Sequence, residues 1–242
     1  MLTMMPMAAC DGSNADPILP EQPGQPGNSD GGDEDDSTDP TNPIPGGNGR
    51  YLVLYCSRTG STERMAQQIQ QTLDCDILEV EPQTPYESDY NGMLNRAQEE
   101  LAAIRQGNYP AIKTSVEDFG NYDIVFVGYP IWYGSMGTPM QTFLHNHASK
   151  LAGKRIALFA SSGSSGISAS VDEARTLCSG ATFTETLLLT SSTLSQMGNR
   201  IRTWLETLGA SRENNHPSTS MNVKITVGNR TITAVSYTHL RA

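Results

Sequence analysis

The sequence predicts an α/β fold in which helices cover both faces of a five-stranded parallel sheet. After residue 50, continuous apolar runs typical of buried strands alternate five times with amphipathic segments typical of helices. This alternation favours a parallel sheet, because parallel neighbours need a crossover connection that is usually a helix. The strands are predicted at 51–56, 76–80, 122–128, 154–160 and 182–189. The helices are predicted at 62–73, 89–106, 139–148, 167–178 and 193–208.

The first half of this region begins with YLVLYC, a continuous apolar strand. The helix that follows has Thr62 near its start and repeats apolar residues at helical spacing. These residues are Met65, Ile69 and Leu73. After the short strand DILEV, the second helix has one apolar face, formed by Leu94, Ala97, Leu101 and Ile104.

The second half begins with YDIVFVG, another buried strand, and Pro139 then begins a helix because proline is favoured in the first helical turn. KRIALFA is the next buried strand, followed by a short helix and the strand TFTETLLL. The last helix has one apolar face, formed by Leu194, Met197, Ile201 and Leu205.

The N-terminal fifth of the chain differs in composition from the rest. Residues 11–49 are mainly Pro, Gly, Asp, Ser and Asn, with too few apolar side chains to offset the entropy of ordering. We therefore predict a disordered acidic linker there. The formal net charge is −10, but without the nine acids of residues 1–49 there remain 17 acids against 16 bases. The folded part is thus nearly neutral, and we expect no nucleic acid among its partners.

The first residues, MLTMMPMAAC, form a short apolar run that ends in small residues directly before Cys10. This pattern resembles the end of a bacterial lipoprotein signal, in which Cys10 is lipidated and becomes the mature N-terminus. We interpret residues 1–10 as the remnant of such a signal, which predicts a lipid-anchored protein of the bacterial cell envelope. The alternative is an ordinary initiator segment with a chance cysteine, in a cytoplasmic protein.

The remaining chemistry-bearing residues predict neither a disulfide framework nor a metal site. The four cysteines, at positions 10, 56, 75 and 178, show no Cys-x-x-Cys or Cys/His metal spacing. His145 and His147 lie two positions apart on a predicted helix, which directs them to different sides. We interpret both as surface residues. No apolar run reaches the roughly 18 residues of a membrane-spanning helix.

A hydroxyl-rich turn, SRTGSTE at 57–63, connects the first predicted strand to the first helix. The N-terminus of a helix offers N–H groups that lack intrahelical partners, together with the positive end of the helix dipole. Gly60 would let the backbone approach a ligand closely. Because the Lys of a GxxxxGK[ST] motif is absent, the turn suits a terminal monophosphate. The alternative is a Ser/Thr-rich cap on an ordinary helix.

A second turn, GYPIWYGSMGTP at 128–139, places two aromatic side chains directly after a buried strand. Trp132 could cover one face of a flat ring, since stacking contributes about 0.5–1.5 kcal/mol beyond area burial. Gly134 and Gly137 would give the backbone conformational freedom. The alternative is that Trp132 packs in the core.

A third turn, SSGSSGIS at 161–168, is small and polar and could present backbone N–H groups to the polar edge of a ring. The alternative is a flexible turn. All three turns are predicted at the carboxyl edge of one sheet, where α/β proteins bind ligands. A phosphate, a stacked aromatic ring and a polar ring edge are the three parts of FMN, which the sequence therefore predicts as the cofactor.

Four stretches of the chain resemble the flavodoxin family, in its bacterial branch with a short third turn. They are YCSRTGSTERMA (55–66), PYESDYNGMLNRAQEE (85–100), VGYPIWYGSMGTPMQTFL (127–144) and LFASSGSSGISASV (158–171). The similarity covers residues 50–208 without a large gap. It implies a flavodoxin-like doubly wound sheet in the order 2-1-3-4-5, with bound FMN that transfers electrons.

The resemblance also implies which residues hold the cofactor. The phosphate would lie on Ser57, Arg58, Thr59, Gly60, Ser61 and Thr62. The first face of the flavin ring would contact Pro130, Ile131, Trp132, Tyr133 and Gly134. The ring edge would contact Ser161, Ser162, Gly163, Ser164 and Gly166. No catalytic residue is expected, because the flavin supplies the redox chemistry.

Two departures from the family pattern concern the electron acceptor. Many small flavodoxins place a Tyr of the third turn over the outer flavin face, but 161–168 has no aromatic residue. Many are also strongly acidic near the cofactor, whereas this domain is nearly neutral. Both departures would leave the outer face open, which favours a small quinone-like acceptor as well as a redox partner protein.

The C-terminal part of the chain predicts a second, incomplete unit. Residues 209–220 are polar and predict a linker, and MNVKITVGNRTITA at 221–234 predicts a hairpin around a Gly-Asn turn. The hairpin resembles the start of a bacterial cyclophilin-like domain, which implies a truncated domain at 221–242. The final VSYTHLRA resembles translated sequencing-adaptor sequence. The alternative is a natural β-tail that docks on the sheet.

Two other functions remain open at this point. The same fold could be a non-enzymatic binding module without functional FMN. A phosphate-ester hydrolase would need a nucleophile and metal-binding carboxylates, but the first turn offers Ser57 and Cys56 with no Asp. The sequence favours an FMN-binding redox protein.

Overall fold

The computed structural model describes residues 50–212, 221–227 and 230–236. The predicted signal remnant with Cys10, the predicted linker at 11–49 and the 213–220 part of the second linker lie outside the described residues.

Parallel strands form the centre of the domain. They are β1 (Tyr51–Tyr55), β2 (Asp76–Glu79), β3 (Ile124–Trp132), β5 (Arg155–Ser162) and an outer strand in two pieces, β6 (Thr182–Phe183) and β7 (Leu187–Thr190). The order is β2-β1-β3-β5-β6, and β7 pairs with β5 beyond β6. The label β4 belongs to a short antiparallel strand, described below, so that β5 is the fourth parallel strand. With β6 and β7 counted together as the fifth, the order is 2-1-3-4-5, and the predicted fold is confirmed.

Helices cover both faces of this sheet, as predicted. They are α1 (Ser61–Leu73), α2 (Tyr90–Ile104), α3 (Thr138–His147), α4 (Ser168–Leu177) and α5 (Met197–Thr207). Because side chains alternate along a strand, Val125 and Val127 of β3 join one core with α3 and α4. Ile124 and Phe126 join the opposite core with α1 and α5.

The outer strand is interrupted at 184–186, where the sequence predicted one continuous strand at 182–189. The indole Nε1 of Trp204 in α5 donates a hydrogen bond to the carbonyl of Glu185 at 2.9 Å. This carbonyl therefore bonds to a helix side chain at the break.

Two other local predictions differ from the structure. The strand predicted to end at 128 continues to Trp132 and folds back as the short antiparallel β4 (Ser135–Met136). The surface interpretation of His147 is wrong, because the side chain is buried. Its Nδ1 bonds to the Phe143 carbonyl at 2.9 Å, and its Nε2 accepts from the Val116 amide at 3.2 Å. His145 is exposed, as predicted.

The C-terminal strands β8 (Met221–Val227) and β9 (Arg230–Ser236) pair with one another in antiparallel register. The cyclophilin-like assignment of this segment stays a prediction. Among the helices that the structure describes, none is long and apolar enough to cross a membrane.

Candidate functional site

The three predicted turns leave the same edge of the sheet. Strands β1, β3 and β5 are adjacent and parallel, with Tyr55 beside Gly128 and Pro130 beside Ser161. Their carboxyl ends therefore lie side by side, as the sequence predicted for the segments that follow them.

The first turn ends in a helix start that no side chain caps. Gly60 has φ +82° and lies directly before α1, a left-handed conformation that favours glycine. The Arg64 amide donates to the Gly60 carbonyl at 2.9 Å. The N–H groups ahead of it in the first helical turn have no intrahelical acceptor, which is the arrangement that binds anions at helix N-termini.

A buried hydrogen bond joins the first turn to the third. The hydroxyls of Thr62 and Ser161 lie 2.8 Å apart, and the two residues are only 1% and 7% exposed. Because each hydroxyl is engaged by the other, this contact fixes the spacing of the two turns. It is the one pair among the predicted site residues that the structure joins by a side-chain hydrogen bond within the described residues.

Arg58 holds a neighbouring loop against the first turn. Its Nη2 donates to the backbone carbonyls of Glu87, Ser88 and Asp89 at 3.2, 3.0 and 3.3 Å. The Asp89 carboxylate in turn caps α2 by accepting from the Gly92 amide at 2.7 Å. Arg58, predicted as a phosphate ligand, therefore also anchors the loop before α2 to the first turn.

The second turn separates its two aromatic side chains. Tyr133 and Gly134, with φ of +51° and +78°, form the tip of the β3–β4 hairpin, a combination typical of a type I′ turn. Trp132 is 6% exposed, whereas Tyr133 is 49% exposed. The indole packs against Met93 and Ala97 of α2. Tyr133 is therefore the aromatic ring that this turn presents at the surface.

The third turn is stabilised by its own hydroxyls and by the outer strand. Ser162 Oγ donates to the Ser165 carbonyl at 2.7 Å. The Ser191 amide, just after β7, donates to the Ser162 carbonyl at 3.1 Å. Ser164 and Gly166 are exposed at the surface of the turn.

A hollow of about 360 Å³ lies on the β2 side of the first turn. It is lined by Cys56, Ser57, Arg58, Glu79, Val80, Glu81, Pro82, Pro85, Tyr86, Glu87, Ser88, Pro130, Trp132 and Pro139. Four of the predicted cofactor residues are in this wall: Ser57, Arg58, Pro130 and Trp132. The predicted residues of the third turn are not, nor are Tyr133 and Gly134.

The contacts that fix Tyr86 and Trp132 in this wall were not predicted from the sequence. The Tyr86 ring packs edge-on against Trp132, with centroids 5.1 Å apart, and the Arg96 guanidinium lies 4.2 Å from the Tyr86 centroid. The Tyr86 hydroxyl bonds to the Glu100 carboxylate and to Thr138 Oγ1. Arg96 also donates to the Pro85 carbonyl at 2.8 Å. The segment PYESDYNGMLNRAQEE contains most of these residues, but its resemblance alone assigned them no role.

Glu79, at the end of β2, was also missed. Burial, together with the nearby carboxylates of Glu63 and Glu81, raises the pKa of Glu79 to about 7. The Tyr55 hydroxyl lies 3.5 Å from its Oε2, which is a weak contact. Such a carboxyl exchanges a proton near neutral pH and faces the hollow, which marks it as a functional candidate.

The three cysteines that the structure describes are not reactive thiols. Cys56, Cys75 and Cys178 are buried and free. Burial raises their pKa values to about 12, 12 and 11, so that the thiolate is scarce at neutral pH. In the described ranges, no group of three or more His, Cys, Asp or Glu side chains could hold a metal ion.

The sheet order, together with helices on both faces, defines a doubly wound α/β protein, a class that binds ligands at the carboxyl edge of the sheet. Residues 50–208 match the family model described as flavodoxin, and the chain belongs to the flavodoxin family. No curated protein matches the chain.

Solved structures agree with this assignment. A candidate flavoprotein from Bacteroides eggerthii is 32% identical in sequence to this protein. The match covers 66% of this chain and 98% of the Bacteroides chain, with a TM-score of 0.56. A candidate flavoprotein from Bacteroides uniformis is 28% identical, with coverage of 65% and 99% and a TM-score of 0.54. A flavoprotein from Lactobacillus acidophilus, solved in complex with FMN, is 25% identical, with coverage of 61% and 97% and a TM-score of 0.50.

Proposed function

We propose that this chain binds FMN at the carboxyl edge of its sheet and works as a flavin-dependent redox protein. The observation that carries the proposal is an uncapped helix start behind the left-handed Gly60, on the same edge as the exposed ring of Tyr133. The FMN complex of the Lactobacillus acidophilus protein supports it.

The first turn would hold the phosphate. The N–H groups at the start of α1 are directed out of the helix, and the helix dipole favours an anion there. Ser57 and Ser61 are partly exposed in this turn and can add hydroxyl donors. The Thr62–Ser161 hydrogen bond would keep the turn in place with or without ligand, so that little order has to be gained on binding.

The second and third turns would hold the ring. Tyr133 is exposed and its backbone is fixed by the hairpin, so its ring can stack on a flat ligand. Trp132, which is buried against α2, would hold the neighbouring Tyr133 in position. The third turn would meet the ring edge through the backbone of Gly163, Ser164 and Gly166, which lie at the surface or close to it.

The bound flavin would supply the electron-transfer chemistry, and the protein would position it and limit access to it. We propose a redox partner protein or a small quinone-like molecule as the acceptor, because the third turn has no aromatic residue to cover the outer face. Rapid turnover of a quinone with NAD(P)H would favour the small acceptor. Electron exchange only with a redox protein would favour a carrier.

The test of FMN binding is a titration of the full chain with FMN and, separately, with riboflavin, followed by visible absorption. We expect FMN to bind and riboflavin to bind much more weakly, because riboflavin lacks the phosphate that the helix start would hold. Equal binding of both would contradict the role of the first turn. A chain that takes up neither would favour the non-enzymatic binding module.

We further propose that Cys10 carries a lipid that anchors the protein to the bacterial envelope. The support is the small-residue run before Cys10 and the acidic, proline-rich segment after it. A Cys10→Ala variant should leave the membrane fraction of the expressing cells. Membrane association that persists in this variant would contradict the proposal.

A further inference from the structure

We propose that the hollow on the β2 side of the first turn is a second binding site, which takes a small planar aromatic cation. The hollow is distinct from the proposed flavin site, because the start of α1, Tyr133 and the third turn do not line it. The two sites adjoin each other, because Ser57 and Arg58 of the first turn and Pro130 and Trp132 of the second line the hollow and also belong to the predicted cofactor site.

The walls of the hollow suit a flat apolar body. Four prolines are among the lining residues, and Trp132 and Tyr86 add aromatic surface. A volume of about 360 Å³ is enough for a two-ring molecule and lies in the range of small-molecule sites. The walls are also held in place before a ligand arrives, because Arg96 and Glu100 fix Tyr86 and Tyr86 packs on Trp132.

The polar part of the lining favours a positive charge. Three glutamates, Glu79, Glu81 and Glu87, line the hollow against one basic residue, Arg58. Arg58 donates to three backbone carbonyls, and Glu81 pairs with Lys113 at 2.9 Å. Glu79 faces a tyrosine hydroxyl and two other carboxylates, so that a cation would lower the cost of ionising it.

The same charge argues against an anionic occupant. A phosphate ester such as FMN would add a negative group beside three carboxylates, and like charges in a half-enclosed site repel. An ammonium group on an aromatic ring fits both parts of the lining, since it can bond to a carboxylate and lie against an aromatic face.

The experiment compares three probes with one ring system: 2-naphthylmethylamine, 2-naphthalenemethanol and 2-naphthoate. Each is titrated calorimetrically into the full chain, with and without saturating FMN. We expect the amine to bind at least roughly tenfold more tightly than the alcohol, as a charge-assisted hydrogen bond allows. The naphthoate should not bind. FMN should leave the amine affinity unchanged.

A matched pair of variants locates the site. Glu79→Gln should remove the preference for the amine, whereas Glu117→Gln, which removes the same charge from an exposed residue outside the hollow, should keep it. Thermal unfolding of both variants confirms that they fold.

Equal affinity for amine and alcohol, or an unchanged preference in Glu79→Gln, would overturn the proposal. Displacement of the amine by FMN would also overturn it, because the hollow would then belong to the flavin site. The titration with FMN alone tests the proposed FMN binding separately, so that failure of one proposal does not imply failure of the other.

Discussion

On its β5 side the first turn is closed by a buried hydrogen bond between two hydroxyls, whereas on its β2 side it borders a hollow with a half-buried carboxyl. Thr62 and Ser161 bond to each other at 2.8 Å. Glu79 has the Tyr55 hydroxyl at 3.5 Å and two carboxylates nearby. Buried polar groups that bond to one another stabilise the edge, while polar groups that face a cavity are available to a ligand.

Trp132 and Tyr133 show the same contrast within two consecutive residues. The indole is in the core and the phenol is at the surface. Effects on stability and on binding should therefore separate between these neighbours and between the two sides of the turn.

The largest effect is expected for Trp132→Ala. Removing this buried indole leaves a cavity beneath α2, which typically costs about 3–5 kcal/mol in the free energy of unfolding. Urea denaturation measures it. Tyr133→Ala is the matched control, and as a surface change it should alter the free energy of unfolding by about 0.5 kcal/mol or less. Similar losses in the two variants would contradict the assignment of core and surface.

A smaller loss is expected for Thr62→Val. This change leaves the buried Ser161 hydroxyl without its partner, which costs about 1–3 kcal/mol in the free energy of unfolding. The double variant Thr62→Val/Ser161→Ala removes both hydroxyls and should be more stable than the single one. If the two changes are simply additive, the hydrogen bond does not couple the turns.

The effect of Glu79→Gln on the free energy of unfolding should depend on pH. The folded pKa of Glu79 is about 7 against an ordinary 4.5, so that between these values the folded chain holds a proton that the unfolded chain has lost. The free energy of unfolding therefore falls as pH rises through this interval. Since Gln stays neutral, the variant should be more stable than the parent above pH 7 by about 1–2 kcal/mol after allowance for solvent screening.

Urea denaturation of the parent and of Glu79→Gln at a series of pH values measures this difference in the free energy of unfolding, with Glu117→Gln as the control. An advantage of Glu79→Gln that is independent of pH would show that the carboxyl titrates normally.

The smallest effect concerns the flavin. Tyr133→Ala should weaken FMN binding by about 0.5–1.5 kcal/mol, which is roughly a twofold to tenfold change in affinity. The absorption titration described above measures it on a variant whose stability is little changed. An affinity equal to that of the parent would show that Tyr133, at the hairpin tip, does not stack on the flavin.

The fold could be predicted from the sequence because its signals are local. Continuous apolar runs such as YLVLYC and the spacing of Met65, Ile69 and Leu73 identify buried strands and helix faces directly. The sheet order, by contrast, came from the family resemblance.

The site was less predictable because its contacts join distant segments. Glycine and proline around Trp132 suggested a loop, but β3 continues and places the indole beneath α2. His147 is buried because a segment 31 positions earlier supplies the Val116 amide. The raised pKa of Glu79 depends on Glu63 and Glu81 together with burial, which no short sequence window shows.

The outer strands have a consequence for contacts between copies of the chain. Exposed, straight strand edges are templates for edge-to-edge aggregation. At one edge, the strand pieces are interrupted and the Glu185 carbonyl in the gap bonds to an indole. At the other, β2 is four residues long, and the segment around Lys113 covers the backbone just beyond it by bonding to Glu81. In the domain at 50–212, neither edge of the parallel sheet offers another copy a long straight template, which should hinder edge-to-edge pairing through this sheet.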